Sequence, residues 1–448
     1  MIPTLAIVVL LQGPPPADLA RLTTVHARVA RLGQEQGDVI WPGFRPDTIP
    51  VLYVLPGQGV LLFGWRGPPP EGFVPVAGAA WQMSADRGAA STGTELAGRP
   101  AAQVVVGTQT PAELVGLTVH EAFHVFRRLA PRENSFLVSS YPVFDAKNEA
   151  AMALEGRILA AAARSRDRAA QRALAREFLA VRESRHRALG GDLATFEQLA
   201  ELNEGLAEYA LQRAGNLNPF ESLESLTADR TRSIRLRYYA TGSAQAHLLD
   251  LLAGPSWKAR LVAENLTLQD LLAEVSGYRR AEQDLRRRAE GAFAMRTLEA
   301  AADSGVGSLR ALRRAQVDSV LGAPGLLLVM TLEGRSVGLC GIDPQNLLQV
   351  DQGVLLHTRW VRPCAGDALQ ATFNTPVVQD RNAGSLRAVV GADSTLRLTV
   401  AGQPADLRDG MRLEDASAVR LESPFFTLQA AKAAISREGR VVTVKVKT

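Results

Sequence analysis

The segment Thr118-Val119-His120-Glu121-Ala122-Phe123-His124-Val125-Phe126 sets two imidazoles and a carboxylate within one turn and a half of chain. Residues four apart on a helix share a face, so His120 and His124 point into one small volume and Glu121 reaches the space in front of it. This is the set a hydrolytic zinc site needs: the imidazoles hold the cation, one position stays open for water, and the carboxylate takes that water's proton as it attacks. With six histidines among 448 residues, chance supplies such a match only about 0.01 times. Leu114, Leu117, Ala122, Phe123, Val125 and Phe126 make the surrounding helix largely buried. Polar groups there require partners.

A hydrolytic zinc takes a third protein ligand. His26, His186, His247 and His357 are available, but none has neighbours that suggest ligation, and His186 sits in Arg182-Glu183-Ser184-Arg185-His186-Arg187, which reads as a solvated charged face. A carboxylate fits better. The stretch 200–209 is a helix with Leu202, Leu206 and Ala210 on its apolar face, Glu204 and Glu208 one turn apart, and small Gly205 and Ala207 that admit another helix closely. Burial of Glu204 against a dication favours its ionised form. Glu149 and Glu155, on an intervening helix, are rival ligands, and Glu155 can instead steady a ligand histidine or an arginine.

Together, His120-Glu121-Ala122-Phe123-His124 and Leu202-Asn203-Glu204-Gly205-Leu206-Ala207 resemble the gluzincin metallopeptidases, especially the aminopeptidase N-like and peptidase MA-like groups. The resemblance implies zinc on His120, His124 and Glu204, with Glu121 as general base. Tyr239-Ala240-Thr241-Gly242 is similar to the family's Tyr-x-x-Gly segment, which implies that the Tyr239 phenol stabilises the oxyanion; an O–H donor aimed at developing charge suits that role. Two departures stand out. The 79 residues between His124 and Glu204 make 145–190 an inserted helical hairpin, and the Gly-x-Met-Glu-Asn segment that binds a free amino group in aminopeptidases is missing, which argues against that specificity. The resemblance covers roughly residues 101–275.

The elements that must position these groups follow from periodicity. Residues 17–36 read as an amphipathic helix ending at Gly33 or Gly37. Residues 50–55 and 60–65 read as strands around Pro56-Gly57-Gln58-Gly59, 101–107 as a third strand, and the Gly-, Pro- and Ser-rich 67–98 as loop. A strand just before the metal helix offers an edge for an extended substrate. Thr110-Pro111-Ala112-Glu113 starts a helix. Helices are then expected at 145–186 (one or two), 192–211, 233–252, 256–264, 268–275 and 282–315, the last broken near Gly305 and Gly307. Beyond 321 apolar residues alternate, as at 326–330, 396–400 and 441–446, with one helix candidate at 428–435. The expected fold class is α+β: a zincin-like catalytic domain at 17–320, with a small sheet at about 50–107 and a helical part at 110–315, then a β-sandwich-like domain at 321–448. Arg359-Trp360 reads as packing.

The net charge of +4 and pI near 9.2 come from scattered arginines. The densest run, Arg279-Arg280 with Arg286-Arg287-Arg288, is interrupted by Glu282, Asp284 and Glu290 and reads as a solvated helix face. No nucleic-acid motif accompanies it. Leu5-Ala6-Ile7-Val8-Val9-Leu10-Leu11 is too short to cross a bilayer and suits the core of a secretory signal at 1–16, although no Lys or Arg precedes it and no small-x-small cleavage site follows; a buried strand is the other reading. No other stretch is long enough for a transmembrane helix. Cys340 and Cys364 either form one disulfide after export or pack as separate thiols. The expected function is zinc-dependent peptide-bond hydrolysis by an exported protein, periplasmic or extracellular, acting on peptides or proteins. Two alternatives are a non-catalytic or degenerate zinc-site protein whose C-terminal β-domain binds a cell-envelope partner, and an interaction protein without metal.

Overall fold

The computed structural model describes residues 14–82, 90–218, 220, 223–280, 283–391 and 395–447, so the apolar run at 5–11 lies outside the described residues. Helix α1 (Pro16–Ile40) buries Leu22, Val25 and Val29. It continues through both Gly33 and Gly37, where the sequence predicts its end. A Cβ at Gly33 would lie 2.6 Å from Asp47 Oδ1, and one at Gly37 would strike the Phe44 carbonyl oxygen. The glycines therefore admit the chain that folds back along the helix.

Strands β1 (Val51–Leu55), β2 (Gly59–Phe63), β3 (Val74–Val76), β4 (Ala79–Gln82), β5 (Thr92–Leu96) and β6 (Arg99–Val105) form a sheet in the order β3-β4-β2-β1-β6-β5, parallel only between β1 and β6. The stretch 67–98, expected to be loop, holds three of these strands. They are short, and tight turns at Ala77-Gly78 and Ala97-Gly98, with positive φ at Gly78, Ala97 and Gly98, put turn residues at a density that hides a hairpin pattern. The strand before the helix that carries His120 and His124 is also not the edge. That place belongs to β5, which among the described residues pairs only with β6.

The helical part comprises α2 (Pro111–Phe126), α3 (Ala146–Arg164), α4 (Arg168–Leu189), α5 (Gly191–Ala200), a π-helical turn at Glu201–Gly205, α6 (Leu206–Gly215), α7 (Leu223–Ala228), α8 (Arg235–Ala253), α9 (Trp257–Ala263), α10 (Leu268–Ser276), α11 (Gln283–Ala292) and α12 (Met295–Gly322). The long segment from 145 divides in two because Asp167 caps α4 through the N–H groups of Ala169 and Ala170. The final helices break at Ala294, whose φ is 53°, and not at Gly305 or Gly307; an isolated glycine costs a helix only about 1 kcal/mol. Part of the basic run docks α11 on α4, with Arg286 donating to Ser184 Oγ at 2.8 Å and Arg288 paired with Glu177 at 2.7 Å. The face around His186 is buried rather than solvated: Arg182 and Arg185 pair with Glu155, Glu197 and Glu201, and His186 Nε2 donates to Glu197 at 2.9 Å. Those carboxylates come from other helices, so nothing beside His186 in the chain announces them.

Strands β7 (Leu327–Leu332), β8 (Gly338–Ile342), β9 (Leu347–Asp351), β10 (Val354–His357), β11 (Val361–Cys364), β12 (Leu369–Phe373), β13 (Val377–Asp380), β14 (Ser385–Val389), β15 (Arg397–Val400), β16 (Gln403–Ala405), β17 (Arg412–Ser423), β18 (Phe426–Glu438) and β19 (Val441–Val446) follow. Where the pattern predicts a β-sandwich-like domain, they join in one thirteen-stranded, near-barrel sheet. Its curl follows from β18, whose first half pairs with β12 and whose second half pairs with β19 along the same side, and from a core that gathers Val361, Leu369, Leu398, Leu428 and Val444 into one cluster. The helix candidate at 428–435 lies inside β18. Helix-favouring alanines there are overridden by pairing on both sides and by burial of Leu428, Ala430, Ala433 and Ile435. The sheet docks on the helices through Leu347 and Leu355, which share a core with Tyr141, Met152, Phe196 and Tyr238.

His357, in β10, is fully buried; its Nε2 lies 3.2 Å from Gln379 Oε1 and its Nδ1 has no partner. Burial, only partly offset by the bond to Gln379, pushes its pKa down from 6.5 to about 4. The folded value lies below the unfolded one, so this contribution to stability is full above pH 6.5 and is lost as pH falls towards 4. Urea unfolding at pH 7.5 and 4.5 is expected to show a loss of about 2 kcal/mol from this group, and His357→Gln to flatten that part of the pH dependence.

Candidate metal centre

Helix α2 presents the opening motif. Thr110 caps it, its Oγ1 accepting from the Glu113 N–H while the Glu113 carboxylate accepts from the Thr110 N–H at 2.6 Å. In the sheet beneath, the Tyr53 hydroxyl meets Thr118 Oγ1 at 3.1 Å. These contacts fix both the start of the helix and its rotation two residues before His120.

Glu204 arrives on the π-helical turn between α5 and α6. The wider turn places an extra residue where α8 crosses. The crossing is backbone against backbone: a Cβ at Gly205 would lie 2.5 Å from Gly242 Cα, and one at Gly242 would lie 2.8 Å from Gly205 Cα. The two glycines of Asn203-Glu204-Gly205 and Tyr239-Ala240-Thr241-Gly242 thus make the contact that brings Glu204 and Tyr239 to one site.

The donor atoms form a small triangle. His120 Nε2 and His124 Nε2 are 3.2 Å apart, and Glu204 Oε2 lies 3.5 Å from the first and 3.3 Å from the second. A tetrahedral zinc with ligand bonds of about 2.0–2.1 Å separates its ligands by about 3.3–3.4 Å. The three side chains therefore fit a small dication, and two imidazoles with one carboxylate are a donor set that zinc takes.

Glu121 is 5 % exposed and stands beside this triangle without belonging to it. Burial pushes its carboxyl up to about 7, with His120 opposing and the Glu204 charge reinforcing. Burial acts on Glu204 in the same sense, but the charge of His124, the Arg235 guanidinium and hydrogen bonds from both histidines overcome it and hold Glu204 well below the ordinary carboxylate range. Tyr239 stacks on the His120 ring at 5.5 Å and 10°. Burial and the nearby Glu204 charge push its phenol well above its ordinary value, so it remains an O–H donor. Its neighbour Tyr238 points the other way, into the core beneath, with its hydroxyl donating to Glu197 at 3.4 Å.

The rival carboxylates are engaged elsewhere. Glu149 takes the Arg237 fork at 3.0 and 2.8 Å, and Glu155 is an arginine partner. The other four histidines are also apart: His26 packs on Phe63, His247 meets Gln212, His186 meets Glu197 and His357 meets Gln379.

Several neighbours of the site were not legible in the sequence. Arg235, 5 % exposed, bridges Glu204 and Glu133, and Asn203 Nδ2 donates to Glu133 at 2.6 Å. Glu208 Oε2 approaches His120 Nδ1 at 3.8 Å; its place one turn after Glu204 was the available signal. The cleft in front of the triangle, about 670 Å³, is bounded by Thr92 and Gly93 of the edge strand and, unexpectedly, by Asp343, Gln345, Arg359 and Trp360 of the C-terminal sheet. Gln345 Nε2 donates to the Tyr239 hydroxyl. Arg359-Trp360, expected as packing, is therefore cleft wall, and Cys340 and Cys364 form a disulfide joining β8 to β11 behind it. No family model matches this chain, and no curated protein or solved structure matches it either.

Proposed function

We propose that the protein is a zinc-dependent peptidase with a zincin-like catalytic domain of gluzincin type, exported from the cell. The observation that carries this reading is the triangle of His120, His124 and Glu204 with edges of 3.2–3.5 Å and a buried, unspent carboxylate beside it. Zinc held by these residues would supply Lewis acidity, acidifying water and polarising a carbonyl. Glu121, with its carboxyl raised towards neutrality, takes a proton from the attacking water and passes it to the leaving amine as the C–N bond breaks. Tyr239 donates its O–H to the oxyanion that develops on the carbonyl oxygen. Arg235 holds Glu204 ionised and oriented. The exposed edge of β5 offers backbone groups to an extended peptide. Export is supported by the apolar run at 5–11 and by the Cys340–Cys364 disulfide. No helix among the described residues is long and apolar enough to cross a membrane.

The test is metal removal. Purified protein is expected to contain about one zinc per chain and to cleave a generic peptide library; a chelator should abolish cleavage and added zinc restore it. Stoichiometric metal without cleavage would favour the non-catalytic zinc-site alternative, and absence of metal would remove both zinc readings.

A further inference from the structure

Arg132 and Arg359 line the same cleft as His120, His124 and Glu204, yet among the described residues neither makes an ion pair or a hydrogen bond. They come from distant parts of the chain, Arg132 from the segment after α2 and Arg359 from the turn between β10 and β11, and both are exposed. The cleft's third arginine, Arg235, is spent on Glu133 and Glu204. The wall carboxylates have partners of their own: Asp343 accepts from the Gln345 N–H at 3.1 Å and from Asn346 Nδ2 at 2.9 Å, Glu208 accepts from Gln212 Nε2 at 3.1 Å, and Glu133 takes Arg235 and Asn203.

This distribution gives the cleft a polarity. Buried Glu121 and Glu204 lie at its floor, and two uncommitted guanidinium groups lie at its solvent side. A guanidinium fork matches a carboxylate in shape and charge. The Arg359 turn is also framed: the Trp360 ring packs over Gly341, where a Cβ would lie 2.5 Å from Cη2, and the Cys340–Cys364 disulfide ties β11, the strand that leaves the turn, to its neighbour β8. Trp360 adds an apolar surface beside the charge, as ligand sites commonly do.

We propose, building on the peptidase reading, that the protein selects peptides bearing a carboxylate, which Arg132 and Arg359 bind at the mouth of the cleft while the scissile bond lies at the metal centre. The carboxylate is either an acidic side chain or the free C-terminus of the peptide.

The experiment compares kcat/KM of the full-length zinc-loaded protein on blocked peptides that differ by Glu or Gln at one position, and on matched peptides ending in a free acid or an amide. At least one acid-bearing member is expected to exceed its neutral match by roughly 10- to 100-fold, the range of a charged hydrogen-bonded pair; the first pair succeeding identifies a side chain, the second a C-terminus. The ratio should collapse towards one in Arg132→Gln/Arg359→Gln and fall as salt is raised. Equal rates on all matched pairs, or a preference that survives the double substitution, would overturn the proposal. Calorimetric binding of the same peptides to Glu121→Gln reads the anion site without turnover. A binding preference there with no cleavage by the wild type would sink the peptidase reading and keep the anion site, whereas cleavage without preference would do the reverse.

Discussion

Glu121→Gln is expected to retain the full complement of zinc while kcat/KM on a cleavable peptide falls by roughly 10²- to 10⁴-fold, the range that general acid–base catalysis supplies. Glu121 is not a corner of the His120–His124–Glu204 triangle, so its substitution leaves the ligand set whole. Glutamine matches its volume and fills the same buried space, 5 % exposed, so no cavity opens. What it lacks is a group able to take a proton and release it again. Metal analysis beside steady-state kinetics checks both halves, and undiminished turnover in a zinc-replete variant would remove Glu121 as the base.

The second large effect concerns stability. Arg182→Met should cost about 3–5 kcal/mol, the usual price of leaving a buried carboxylate without its cation. Arg182 is 1 % exposed, donates from Nε to Glu155 at 3.0 Å and from Nη1 to both oxygens of Glu201 at 2.8 Å, and covers the Phe178 ring. Arg185 alone cannot compensate, because it already serves Glu155 at 2.6 Å and Glu197 at 2.7 Å. Without Arg182, Glu201 keeps only the Thr241 hydroxyl at 2.5 Å. Glu201 belongs to the turn that carries Glu204, so weaker zinc retention is expected along with the lower stability. Urea unfolding and zinc titration measure the two. Adding Glu201→Gln should recover part of the loss, because it removes the charge left unpaired; if the single variant is as stable as the wild type, the lattice of α3, α4 and the π-helical turn does not hold the site.

The local features of this protein were legible because their causes are local. A capping pair at Thr110 and Glu113, a four-residue spacing from His120 to His124, and a carboxylate with a small neighbour at Glu204-Gly205 each express short-range geometry, and the structure brings His120, His124 and Glu204 together at 3.2–3.5 Å. Wherever the cause is a contact between separate elements, the sequence is silent or misleading. His186 reads as solvated because its carboxylate partner, Glu197, sits on another helix; residues 428–435 read as helical because their alanines favour a helix, which only pairing with β12, β17 and β19 overrides; and 67–98 reads as loop because short strands are stabilised by their neighbours more than by their own composition. The choice of Glu204 over Glu149 and Glu155 rested on the same distinction. All three are buried acids, and only the crossing of two glycines, with arginines already in place around the other two, decides which one faces the histidines. The sequence by itself singled out His120, His124 and Glu121 and the chemistry their types would suit. Tertiary structure decided that Glu204 faces the two histidines, the orientation of Tyr239 and the C-terminal wall of the cleft, because each depends on a contact between segments that only packing brings together.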